Sequence, residues 1–109
     1  MTRAEVMKTV SEHLLKQGRK SGTPSGGTCL YLYRGPEGTK CALGCLIKDA
    51  FYSPELEGKN AGHRDVQAAL VLSGVPAAEL HSLLDSLQNI HDLCPTDEWP
   101  ARLAELAGK

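Results

Sequence analysis

The chain has 109 residues, of which 41% are hydrophobic and 23% charged, and its 12 Lys and Arg against 13 Asp and Glu give a formal net charge of −1. These are values of one modest globular domain, residues 1–109, with little room for a deep cofactor cleft. The near-neutral balance makes a nucleic-acid partner unexpected, because such modules are usually strongly basic.

Thr2 and Glu5 form a Thr-x-x-Glu capping box, and Val6, Val10 and Leu14 follow on one helical face. The spacing predicts a helix over residues 3–17, stopped at Gly18. Ser21 to Thr28 is rich in Gly, Ser and Pro and reads as a loop. Its Gly22, Gly26 and Gly27 lack the lysine and preceding strand of a phosphate loop. Cys29 to Arg34 favours a strand, with Cys29, Tyr31 and Tyr33 on one face and Leu30 and Leu32 on the other. Gly35-Pro36-Glu37-Gly38 reads as a turn and Thr39 to Ala42 as the returning strand, which together predict a hairpin.

Leu43, Leu46 and Ile47 are expected to join the core, and Ser53-Pro54 to open a short helical turn. Residues 64–73 read as a helix ended by Gly74. Pro76 opens the clearest helix, with Leu80, Leu83, Leu84, Leu87 and Ile90 as its apolar stripe. A last short helix places Trp99, Leu103 and Ala107 on one side. The expected fold class is α+β: a small single domain with an N-terminal helix, a two-stranded antiparallel hairpin and three or four C-terminal helices. The N-terminus lacks a hydrophobic signal core, and the longest apolar run, Ala42 to Ile47, is far short of the ~20 residues that span a bilayer. A cytoplasmic protein with no membrane partner and reduced cysteines is therefore expected.

Four groups of residues are candidates for function. Asp49, Phe51, Tyr52, Glu55 and Glu57 form an acidic, aromatic stretch suited to a protein-binding surface; the alternative is that the two aromatics anchor the core. Cys41 and Cys45, with His91 and Cys94, make a Cys-x3-Cys and a His-x2-Cys pair, the donor types that zinc takes tetrahedrally. Buried structural cysteines are the competing reading, with no cofactor. Cys41 is also a candidate nucleophile if a helical turn begins there, although no spacing selects a base among His13, His63, His81 and His91. Lys16, Arg19, Lys20, Arg34 and Lys40, with Tyr31 and Tyr33, form a basic and aromatic set whose simpler reading is solvated surface charge.

The segment from Tyr33 to Ile47, YRGPEGTKCALGCLI, continues to Asp49, Tyr52, Pro54 and Glu57-Gly58. Flanking features are Gly18-Arg19-Lys20, the run Leu87-Gln88-Asn89-Ile90-His91-Asp92, and Trp99. Together they resemble a group of short proteins encoded by tailed phages, prophages and proteobacteria. Lys48-Asp49 stands where members of the group tend to have Pro-Asp. The resemblance implies a cytoplasmic accessory protein of phage or prophage type, and it brings no activity and no catalytic residue. The leading expectation is a non-enzymatic protein-binding module that modulates or inhibits a host or phage protein. A zinc-stabilised binding module and a small cysteine-dependent enzyme are the alternatives. Oligomeric state is not read from the sequence.

Overall fold

A computed structural model describes residues 1–25, 28–31 and 33–109. Helix α1, Arg3–Gln17, begins as the capping box requires: Thr2 Oγ1 accepts from the Glu5 N–H at 3.2 Å, and Glu5 Oε1 accepts from the Thr2 N–H at 3.0 Å. It ends at Gly18, whose positive φ of 67° suits a residue without a Cβ. Val6, Met7, Val10 and Leu14 are its buried face.

Helices α2 (Arg64–Leu72), α3 (His81–Leu93) and α4 (Trp99–Ala107) fill the C-terminal half. α1 packs against α4 and α3, and α4 lies along α3. Four residues of the expected stripe, Leu83, Leu84, Leu87 and Ile90, are buried on α3, while Leu80 precedes the helix and is partly buried against the core. Helix α3 starts only at His81, because the chain after Pro76 first winds as a turn in which the Leu80 N–H donates to the Pro76 carbonyl at 3.0 Å. Trp99 and Leu103 anchor α4 in the core, while Ala107 is exposed and Leu106 packs in its stead. Short 3-10 turns at Pro36–Gly38, Asp49–Phe51, Pro54–Leu56 and Thr96–Glu98 link these elements. Ser53 caps the third of the four, as its sequence suggests.

The class is all-α, and this corrects the α+β expectation. The hairpin expected between Cys29–Arg34 and Thr39–Ala42 does not form. Among the described residues, Arg34 and Lys40 form a single isolated bridge across the turn, the Cys41 N–H donates to the Tyr33 carbonyl at 3.4 Å, and the chain coils from there onward. Three features accompany this, two within the segment itself and one supplied by α1. Glu37 and Gly38 both take positive φ, 59° and 75°, which tightens the reversal so that the Gly35 N–H bonds the Thr39 carbonyl at 2.8 Å. The Gln17 side chain of α1 then takes both backbone groups of Lys40, accepting from its N–H at 2.9 Å and donating to its carbonyl at 3.0 Å. A side-chain amide thus satisfies the groups of Lys40 that face away from Arg34 and fastens the end of the turn to α1. Finally, Cys45 and Ile47 donate back to the carbonyls of Cys41 and Leu43, closing a helical turn.

The extended backbone that is present lies earlier. Gly22–Ser25 and Thr28–Tyr31 run antiparallel as a four-residue ribbon, Gly22 opposite Tyr31 and Ser25 opposite Thr28. It pairs with no further strand among the described residues. The side-chain faces expected for Cys29, Leu30, Tyr31 and Leu32, and the Gly26-Gly27 loop, lie outside the described residues.

The turn Cys41–Ile47 is the hub of the middle of the chain. Cys41, Ala42, Leu43, Leu46 and Ile47 are all buried in the core. Gly44 passes so close to the backbone of Tyr33 that a Cβ there would sit 1.9 Å from the Tyr33 carbonyl oxygen. No helix among the described residues is long and apolar enough to cross a membrane.

Candidate functional site

The acidic, aromatic stretch divides in two when folded. Glu57 turns inward and its carboxylate accepts three hydrogen bonds: from the Tyr33 N–H at 2.8 Å, the Arg34 N–H at 3.1 Å and the Tyr52 hydroxyl at 2.6 Å. These N–H groups lie on the stretch expected to be a strand, so a carboxylate stands where a β partner would have stood. Burial, then the hydrogen bond to Glu57, pushes the Tyr52 phenol up to about 12. Burial also raises the Tyr33 phenol, which donates to the Lys59 carbonyl.

Arg34 closes the other side. Its guanidinium donates to the Ile47 carbonyl at 2.8 Å, pairs with Asp49 at 2.5 Å and lies 4.5 Å from the centroid of the Tyr52 ring. A cation over a ring face is attracted by the ring's negative face and restrains both groups. Arg34 Nε is buried with no partner among the described residues. From below, Ser73 of the α2 end accepts the Lys48 N–H on its hydroxyl at 2.9 Å, and that hydroxyl donates to the Ala69 carbonyl at 2.8 Å.

Held in this way, the turn Asp49–Phe51 presents Phe51 outward, 37% exposed, with Asp49 and Glu55 exposed on either side of it in sequence. The adjoining end of α2 exposes Val71 and Leu72, at 56% and 61%. Of the five residues singled out in the sequence, Asp49, Phe51 and Glu55 are therefore presented to solvent, and Tyr52 and Glu57 form the clasp that holds them. Sequence reasoning placed Arg34 in a basic surface set; its role here depends on a fold-long contact with Tyr52 that no local signal announces.

The cysteine and histidine candidates sit in a different place. Cys41 is 1% exposed, and its Sγ accepts from the Gly44 N–H at 3.3 Å. The amides of a helical turn do point at the sulfur, as a nucleophile needs, but burial outweighs them and pushes the thiol up to about 12. Burial and then the neighbouring Cys41 push the Cys45 thiol up to about 12 as well, against a lowering by Lys40.

His91 is wholly buried on α3 and stacks on Trp99 with centroids 5.6 Å apart. Its Nε2 accepts from the Ser21 N–H at 2.9 Å, so its Nδ1 carries the proton and donates to Asp92 Oδ1 at 2.6 Å. Gln88 links this pair to the cysteine turn. Its amide donates to Asp92 at 3.1 Å, and its Oε1 accepts from the Leu43 N–H at 3.2 Å. Cys94 is the residue after α3, and its carbonyl accepts from the Trp99 indole at 3.1 Å. Among the described residues, no three His, Cys, Asp or Glu side chains gather as a metal-holding group. Both ring nitrogens of His91 are engaged in the hydrogen bonds just given.

The basic set also separates. Arg19 pairs with Glu37 at 2.8 Å, Lys20 donates to the Asp92 carbonyl, and Arg34 belongs to the clasp. Lys16 and Lys40 face one groove. No family model matches the chain, and comparison with curated proteins and with solved structures finds no match.

Proposed function

We propose that this chain is a non-enzymatic protein-binding module of the phage and prophage accessory type, acting in the cytoplasm on a host or phage protein. The observation that supports the reading is the exposure of Phe51 on a turn fixed from three sides, by Arg34, by the Tyr52–Glu57 hydrogen bond and by Ser73. An exposed aromatic held rigid gives up little conformational entropy on binding, which is the character of an interface anchor. Asp49 and Glu55 favour a partner surface that is apolar at its centre and basic at its edge. The burial and raised pKa of Cys41 argue against a thiolate enzyme in this conformation.

The test is a capture experiment from host lysate with the wild-type chain, with Phe51→Ser and with Glu55→Lys. A partner retained by the wild type and lost from both variants, each still folded, supports the module. Equal capture by all three chains, or none by any, contradicts it.

A further inference from the structure

A groove of about 600 Å³ runs between α1 and the segment 38–45, lined by Thr9, His13, Lys16, Gln17, Gly38, Lys40 and Cys45. That volume lies within the range of small-molecule sites. Its lining carries two ammonium groups and no carboxylate, and among the described residues neither Lys16 nor Lys40 has an ion-pair partner. Of the two carboxylates next in sequence to the lining, Glu37 is held by Arg19 at 2.8 Å and Glu12 is exposed on α1.

The walls are preformed rather than loose. Gln17 holds both backbone groups of Lys40, and His13 Nε2 donates to the Lys40 carbonyl at 2.9 Å, so α1 and the far wall are fastened by three hydrogen bonds. These bonds fix the backbone of Lys40 beside the helix that carries Lys16, so the two lysines share one groove without further rearrangement of the main chain. The lining adds the Thr9 hydroxyl to the two lysines, while Gln17 and His13 are occupied in fastening the walls, and it holds no Phe, Tyr or Trp ring on which a base would stack.

We propose that this groove is a binding site for a small phosphorylated ligand of sugar-phosphate type, held by Lys16 and Lys40 across its two walls. The site is separate from the turn that presents Phe51 and does not depend on the protein-binding reading. Fructose 1,6-bisphosphate is a suitable probe, followed by amide chemical shifts at near-physiological salt. The expected result is saturable binding, with the shifts of Gly38, Lys40 and Cys45 moving together. Lys16→Gln and Lys40→Gln are each expected to weaken binding about tenfold, the usual scale for one charge-assisted contact. The exposed Lys16 side chain keeps that variant folded, and Arg64→Gln, on the exposed start of α2, serves as the charge-matched control. Absence of saturable binding at millimolar probe overturns the proposal. So does binding that Arg64→Gln weakens as much as the two lysine variants do, since that reports charge alone.

Discussion

Glu55 and Glu57 are two positions apart and chemically equivalent, yet the fold uses them differently. Glu57 accepts two backbone N–H bonds and a phenol, whereas Glu55 stays exposed with its side chain in solvent. Removing an acceptor leaves its donors unmatched, at about 1–3 kcal/mol for the group. Glu57→Ala is therefore expected to lower unfolding stability by about 2–3 kcal/mol in a urea titration, and Glu55→Ala to leave it unchanged. The cysteines give a second prediction with a definite sign. Cys41 rises from 9.0 when unfolded to about 12 when folded, so the folded state holds its proton more tightly. That stability is fully present below pH 9 and is lost as pH climbs toward 12. Urea midpoints measured above pH 9 should fall with rising pH, and fall less steeply in Cys41→Ala. A midpoint independent of pH in that window would contradict the burial of the thiol.

Elements whose cause is local were legible in the sequence. The capping box and Gly18 bound α1, and the leucine stripe identified α3, since both depend on residues within a few positions of one another. The absence of the expected hairpin was not legible in the sequence, because part of its cause lies elsewhere in the chain. Strand-favouring residues and a good turn are present at 29–42, but Glu57 takes the N–H groups of Tyr33 and Arg34, and the chain turns helically from Cys41 instead of running on beside them. The tight approach of the Cys41–Ile47 turn to Tyr33 then requires a residue without a side chain at Gly44. Gly44→Ala puts a carbon 1.9 Å from a backbone oxygen that has no flexible end to yield. The expected cost exceeds about 4 kcal/mol, the scale of the most disruptive single substitutions. A melting curve checks it, and a Gly44→Ala chain that melts like the wild type would show that the approach is not as close as described.

At the scale of the whole molecule, three packed helices and a partly buried polar chain from Ser21 through His91, Asp92 and Gln88 to Leu43 form the framework. The acidic, aromatic turn is carried at its edge. The sequence showed which residue types the turn contains. It did not show which of them face outward, because Tyr52 and Glu57 point inward only through partners at Arg34 and Tyr33, more than fifteen positions away in the chain. The account stands or falls on that clasp being formed before any partner arrives. Amide hydrogen exchange of the isolated protein measures it directly at the Tyr33 and Arg34 N–H groups, which no helix protects. The account predicts exchange about as slow as in the buried middle of α3, becoming fast in Glu57→Ala while α3 stays protected. Fast exchange of both amides in the wild-type chain would contradict it.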